Sequence, residues 1–474
     1  MKSPRQILKA ILKEIKPTKK EERELNSFAQ KVLKIAKSIA KKYNAEPMLV
    51  GSLTRGTWLP DKKEFDVFIL FPETVTPNEL ERKGLLIGKK IVERLKGTYV
   101  VEYAQHPYVS ADFKGIKVDI VPCYKIRDTN KLLSAVDRTP FHVQWLKKHL
   151  KKKQGDEVRL LKKFLKVHGI YGADAKTLGF SGYATELLIV VYRDFINVLK
   201  AAIKWKPGEI IDPEGYYKEK DYKFLRKKFK NQPLILIDPT DKNRNVTSAL
   251  SVENFFKFKK YAKEFLNNPS KETFYGKQKR PLTDIEFSQL RFRRGTEIIM
   301  IKFKPPKVVP DILWPQLRKF AERIKNILEE RKYEFKVYGT SVYTDEKDIA
   351  LVLLEMEVSR LPYVQKIVGP PVFDEVNSKR FIESHKSNVS GPYIEGIRWV
   401  VEVKRKFKNA KEKIIDSLSK PKDILKKKGI PNFIAEEISK GFEILDPKEI
   451  EKLLKEKPEV GIFLRDYFQR EKLI

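Results

Sequence analysis

Apolar residues at Leu25, Phe28, Val32, Ile35, Ala36 and Ile39 recur at helical spacing and predict a helix over 22–43. A short apolar run at 48–50 then stops at Gly51-Ser52, and a second, 65–71, stops at Pro72. Both read as strands. Helical spacing returns over 79–96. Residues 99–103 read as a strand, and 108–113 and 116–121 as a hairpin turning at Lys114-Gly115. Helix, strand, strand, helix and further strands predict a small mixed sheet backed by helices.

From about 151 the pattern turns helical. Val158, Leu161, Phe164, Leu165 and His168 share one face, and 183–202 reads as a strongly apolar helix. A helix over 252–266 has Ser251 as its N-cap, and 232–238 is a buried-strand candidate ending at Asp238-Pro239. The polar stretch 267–281 reads as a linker. Beyond it, strands are predicted at 297–303, 335–338 and 349–357. Leu317, Phe320, Ala321, Ile324, Ile327 and Leu328 mark a helix, and short lysine-rich helices follow from about 408. A chain of 474 residues suggests about three domains. The expected boundaries are 1–150, 151–270 and 271–474, in an α+β multidomain fold.

Composition narrows the function. The chain has 98 Lys and Arg against 63 Asp and Glu, a formal net charge of +35, which predicts a polyanionic partner, nucleic acid above all. Its one cysteine, Cys123, excludes an internal disulfide or a cysteine-rich zinc site, and five scattered histidines do not suggest a structural metal cluster. No apolar run of 18 residues predicts a membrane span. The N-terminus, MKSPRQILKAILKEIKP, lacks the apolar segment of a signal peptide, so a cytoplasmic protein is expected.

The chemistry concentrates in GSLTRGTWLPDKKEFDV, residues 51–67. Glu64 and Asp66 are two apart in a strand, so both carboxylates leave the same face. Side by side they repel, unless a cation lies between them. Mg²⁺, which takes oxygen ligands and substrate phosphates, suits them. Asp119, in the apolar strand VDIVP, needs a partner for its charge and supplies a third carboxylate. It is also the best candidate for the base on an attacking hydroxyl, directly or through the metal. Gly51-Ser52 lets backbone N–H groups approach a triphosphate, Ser52 adds a hydroxyl donor, and Arg55 offers a bidentate phosphate contact. No G-K-[ST] follows, so the loop is not a P-loop.

Here the chain resembles the DNA polymerase β nucleotidyltransferase superfamily. The longer segments GSLTRGTWLPDKKEFDVFILFP, YAQHPYVSADFKGIKVDIVPCY, SAVDRTPFH, EVRLLKKFLKVHGIYGA, GFSGYATELLI and DPTDKNRNV resemble archaeal (class I) CCA-adding tRNA nucleotidyltransferases, and VGPPVFD at 368–374 also fits. The resemblance implies a polymerase-β-like head at 1–150, a mostly helical nucleotide- and base-recognition domain at 151–270, and a tRNA-binding α/β and helical body and tail at 271–474. It implies Glu64, Asp66 and Asp119 as catalytic and metal carboxylates. Ser52, Arg55, Thr139, His142, Lys162, Tyr171 and Arg244 would bind ATP and CTP, with Arg244 recognising the base. Mg²⁺ would be the cofactor, the tRNA acceptor stem and T arm the partner, and the protein a homodimer. The reaction would add C, C and A to the tRNA 3′ end, releasing pyrophosphate, repair damaged ends, and tag unstable tRNAs with CCACCA. Where the family often has an acidic residue in YAxHPY, this chain has Gln105; the adjacent His106 is a candidate tRNA or phosphate contact. The rival readings are a poly(A) polymerase of the same superfamily and an RNA-binding protein with a relict pocket.

Overall fold

The computed structural model describes residues 4–103, 106–276, 279–330 and 333–469. The chain forms two compact units, Met1–Gln278 and Lys279–Ile474. Their division falls inside the stretch expected to be a linker.

The described part of the first unit begins with helices α1 (Pro4–Ile15) and α2 (Lys19–Ala40). A capping box starts α2: Glu21 N donates to Thr18 Oγ1 and the Glu21 carboxylate accepts from Thr18 N. Strands β1 (Glu46–Val50) and β2 (Glu64–Phe71), helix α3 (Pro77–Leu95), and strands β3 (Thr98–Tyr103), β4 (Pro107–Phe113) and β5 (Ile116–Tyr124) follow. The strands pair in the order β1-β2-β5-β4-β3. The central pair, β2 and β5, is parallel, and the other pairings are antiparallel. The expected hairpin is β4–β5; Lys114 and Gly115 at its turn have φ of 56° and 86°. Phe65, Val67 and Ile69 share a core with Leu25, Val32, Ile87 and Ile91 of α2 and α3. A Cβ on Gly84 or Gly88 would come within 2.8 Å of Pro122 or Val109 side-chain atoms, so these glycines let α3 lie close against the sheet.

A helix the apolar pattern does not show, α4 (Thr139–His149), crosses the other face of the sheet. Val143 packs there with Val50, Phe68, Leu70 and Cys123. The central section continues with α5 (Gln154–Val167), α6 (Gly182–Tyr192), α7 (Phe195–Ala202), β6 (Glu209–Ile211), α8 (Tyr222–Lys228), β7 (Leu234–Asp238), β8 (Asp241–Asn245) and α9 (Val252–Asn267). The apolar helix expected over 183–202 is two helices. Arg193 takes φ 80°, and Asp194 restarts the chain as an N-cap accepting from Asn197 N at 2.8 Å. Gln154 ties off the break by donating to the Ile189 and Arg193 carbonyls at 3.0 and 3.1 Å. The expected linker also contributes core: Phe274 is fully buried and meets Phe164, Phe195 and Phe265 with ring centroids 5.6–5.7 Å apart. Apolar burial outweighs the polar composition around it.

In the second unit, strands β9 (Glu297–Phe303), β10 (Lys336–Thr344), β11 (Ala350–Val358) and β15 (Glu443–Leu445) form a sheet in the order β10-β11-β9-β15. The helix Pro310–Leu328 covers one face. The helices Pro447–Glu456 and Pro458–Phe468 cover the other. A second sheet joins β12 (Val364–Pro371), β13 (Ser390–Glu395) and β14 (Arg398–Lys404) in the order β12-β14-β13. Strand β15 lies in the stretch from about 408 where only short lysine-rich helices were expected. No helix among the described residues is long and apolar enough to cross a membrane.

Candidate active site

The parallel pairing of β2 with β5 sets Asp66 directly beside Asp119. Glu64, two residues earlier on β2, leaves the same face. All three are half-buried, while Phe65, Val67, Val118 and Ile120 between them point into the core. Ser110 on β4 faces Asp119 in the ladder and donates to its Oδ1 at 2.6 Å. Burial, with the charges of Asp119 and Glu64, pushes the Asp66 carboxyl up to about 7 against the pull of Arg55 and Lys62. Burial also raises Asp119; the bond from Ser110 opposes this, and Glu102 and Glu64 add to it.

Lys62, not among the residues expected from the sequence, joins this group. Its ammonium lies 2.6 Å from Glu64 Oε2. Burial depresses it, but the bond to Glu64 and the charges of Glu64, Asp119 and Asp66 prevail and raise it. No group of three or more metal-ligating side chains is closed up among the described residues. What the strands do supply is an adjacent pair of repelling carboxylates, with a third drawn to a lysine. A hard divalent cation that takes one or two protein carboxylates and completes its shell with substrate phosphates and water fits that donor set.

Gly51, between β1 and the turn Ser52–Arg55, has φ 83°. A Cβ there would lie 2.5 Å from Asp66 Oδ2. Position 51 therefore needs glycine for its backbone conformation and for the room it leaves the carboxylate. Gly51→Ala is expected to misplace Asp66 and so to cut the nucleotidyl transfer that the resemblance implies by about 100-fold. Steady-state extension assays check this; an unchanged rate would show that Asp66 need not hold its position.

The turn leads into a buried ionic cluster. Glu186 on α6 is fully buried. Its Oε2 accepts from Arg55 Nε at 3.0 Å and lies 2.9 Å from Arg55 Nη2, and its Oε1 accepts from Thr57 Oγ1 at 2.5 Å. Lys162 on α5 is buried too, with Nζ 4.0 Å from Glu186 Oε1 and donating to Thr57 O at 3.2 Å. Burial lowers Lys162 to about 8, although Glu186 supports its charge. Burial opposes the Glu186 charge, but Arg55 and Lys162 hold its carboxyl below its ordinary value. Tyr171 is half-buried nearby: a Cβ on Gly182 would lie 3.1 Å from its hydroxyl and 3.9 Å from Lys162 Nζ.

A second cluster forms at the end of β7. Asp238 is fully buried and accepts at Oδ2 from His142 Nε2 at 2.9 Å and Arg244 Nη1 at 2.8 Å. Since a carboxylate only accepts, Nε2 is the protonated ring nitrogen of His142. Tyr183 donates to Oδ1 and stacks on the His142 ring, centroids 3.9 Å apart. Burial lowers the His142 imidazole despite this partner. Burial works against the Asp238 charge, yet His142, Thr240 and Arg244 keep its carboxyl well below the carboxylate range. Thr139 opens α4, three residues before His142.

The chain matches family models for a nucleotidyltransferase domain over 29–142, the second domain of tRNA nucleotidyltransferase over 156–275, and the C-terminal domain of the CCA-adding enzyme over 294–447. It is 38% identical to the CCA-adding enzyme of Methanosarcina acetivorans, covering 86% of this chain and 88% of that one. It is 41% identical to that of Methanocaldococcus jannaschii over 80% and 84% of the two chains. The chain belongs to the CCA-adding enzyme family. Among solved structures, the RNA terminal uridylyl transferase Cid1 is similar at a TM-score of 0.46 and 14% identity, covering 58% of this chain and all of that one; so distant a likeness bears on nothing further.

The nucleotidyltransferase match spans β2, β5 and the Gly51 turn, and the second-domain match spans Lys162, Tyr171, Glu186, Asp238 and Arg244. Seven of the ten expected residues gather as three groups: Glu64, Asp66 and Asp119; Arg55 with Lys162; and His142 with Arg244; Ser52 opens the turn that carries Arg55, Tyr171 lies by Gly182 near Lys162, and Thr139 stands at the start of α4. Buried acids, Glu186 and Asp238, hold the last two groups together, and neither was among the expected residues. Both stand in otherwise apolar runs, which is the signal that marks them, since a buried charge requires partners. His106 Nδ1 lies 3.5 Å from Glu81 Oε1, whereas its buried Nε2 has no hydrogen-bond partner among the described residues. Gln105 lies outside the described residues.

Proposed function

We propose that this chain completes and repairs the 3′-terminal CCA of tRNA without a template, adding C, C and A from CTP and ATP and releasing pyrophosphate. The observation that carries the reading is the registered Asp66–Asp119 pair beside the Gly51-Ser52 turn, in a chain of the CCA-adding enzyme family. Enzymes of this family generally use a divalent metal; here we assign Mg²⁺, held by Asp66 and Asp119 with Glu64 once Lys62 releases it. Bound there, the ion would neutralise charge on the triphosphate and favour the ionised 3′ hydroxyl.

The remaining work falls to protein side chains. Ser52 and the backbone of its turn, Arg55, Lys162 and Tyr171 grip the triphosphate, and Glu186 fixes the two cations. His142, Thr139 and Arg244 face the nucleoside, Arg244 reading the base. Positioning and charge neutralisation supply the catalysis. The second unit, rich in lysine, takes the acceptor stem and T arm, and two chains form a homodimer in the cytoplasm. A-form RNA is recognised through phosphates, shape and 2′ hydroxyls, which suits an enzyme serving every tRNA; tandem CCACCA addition to unstable tRNAs belongs to the same chemistry.

Two measurements test this. Supplied with CTP alone, the enzyme is expected to add two residues to a tRNA ending at its discriminator nucleotide, and with ATP alone to add no long tail. A poly(A) polymerase would do the reverse. Because the chain carries +35 formal charge, filter binding of tRNA is expected to weaken by roughly 1,000-fold between 50 and 200 mM salt. A salt-insensitive affinity would contradict phosphate-led recognition.

A further inference from the structure

We infer that Asp238 is a positioning residue for nucleotide selection, holding the Arg244 guanidinium at the angle from which it reads the incoming base. The inference rests on the proposed reading that Arg244 faces that base. Cytosine and adenine share one feature on their pairing edges, an acceptor nitrogen, N3 in one and N1 in the other. Uracil and guanine present an N–H at the corresponding place. A donor held at a fixed angle therefore accepts the first two and rejects the others, provided it cannot swing away.

The geometry supplies that constraint. Asp238 ends a strand whose five residues are all buried, so its backbone is fixed. Its two oxygens divide their partners. Oδ1 accepts from Thr240 N at 2.9 Å, Thr240 Oγ1 at 2.8 Å and Tyr183 OH at 3.3 Å. Oδ2 accepts from His142 Nε2 at 2.9 Å and Arg244 Nη1 at 2.8 Å. One nitrogen of Arg244 is thus anchored, while the side chain stays about one-third exposed (34%) and can present its other donors outward. His142, the other donor to Oδ2, is stacked on Tyr183, which itself donates to Oδ1.

The same division makes Asp238→Asn a selective probe. An amide has one acceptor oxygen, and the three donors at Oδ1 claim it. Its NH₂ then faces His142 and Arg244. Histidine accepts from it by changing tautomer, but arginine has no acceptor and must leave. The substitution therefore frees Arg244 while keeping shape and volume.

Single-turnover addition of CTP and UTP to a tRNA primer lacking CCA reads the effect. Asp238→Asn is expected to lower the CTP-over-UTP preference by about 10-fold, the scale of losing one charge-assisted hydrogen bond. In an Arg244→Ala background the same change is expected to leave the preference unaltered, because its effect passes through Arg244. Asp238→Glu, which keeps the charge but shifts it by one methylene, serves as the second variant, with a smaller loss of preference expected, and thermal melting accompanies each. Equal losses for CTP and UTP with the preference intact in both variants would overturn the inference and leave Asp238 a structural residue. Failure of the unsubstituted enzyme to add C, C and A would instead overturn the parent reading.

Discussion

Asp66→Ala is expected to lower the rate of nucleotide addition by at least about 10³-fold, since charge neutralisation by a bound metal is worth several kcal/mol and each 1.36 kcal/mol is tenfold in rate. The fold should survive, because removing Asp66 also removes a charge that the metal-free protein holds unfavourably. Burial and its two carboxylate neighbours push Asp66 up to about 7. Between the unfolded carboxyl's ordinary value near 3.8 and that folded value, the folded chain binds the extra proton. The contribution of Asp66 to stability therefore declines as pH rises through this window and is flat above it. In chelator, melting temperatures of the parent protein and Asp66→Asn are expected to diverge between pH 4 and 7, with the variant the more stable at the upper end. Parallel pH profiles would show that Asp66 is not strained by its neighbours, and an active Asp66→Ala would remove it from the reaction.

Glu186→Ala is expected to be the most destabilising single change in the site. It leaves Arg55 and Lys162 beside a fully buried vacancy, and loss of one partner from a buried ion pair costs about 3–5 kcal/mol. The two cations it releases are the proposed triphosphate contacts, so KM should rise for CTP and ATP alike. Glu186→Gln keeps the volume and some hydrogen bonds and should show the same kinetic pattern with a smaller loss of stability. Denaturant melts and steady-state kinetics separate the two effects. Unchanged KM for both nucleotides in a folded variant would detach Arg55 and Lys162 from the triphosphate.

The sheet and its carboxylates were legible because strand alternation is a local signal. Glu64 and Asp66 had to share a face opposite Phe65 and Val67, and the Lys114-Gly115 turn announced the hairpin. What the sequence could not supply was register. The pairing of Asp66 with Asp119 joins residues 53 apart through a parallel ladder, and no local pattern encodes which residues face each other. Helix α4 escaped notice because only Pro140, Val143 and Leu146 of it are buried, too few to mark a stripe. The break at Arg193 was masked by apolar residues on both sides, although Asp194 three residues before Asn197 is a capping signal. Lys162 reads as one more lysine on a basic helix; it is four residues after Val158, on the buried side, and that position forecasts its burial better than its charge does.

Single-nucleotide-resolution extension of a tRNA transcript lacking CCA, with Mg²⁺, CTP and ATP, tests the central claim most directly. Addition of C, C and A followed by arrest, lost in Asp66→Ala, is the predicted result. A long adenosine tail, or tRNA binding with no extension at all, would contradict it.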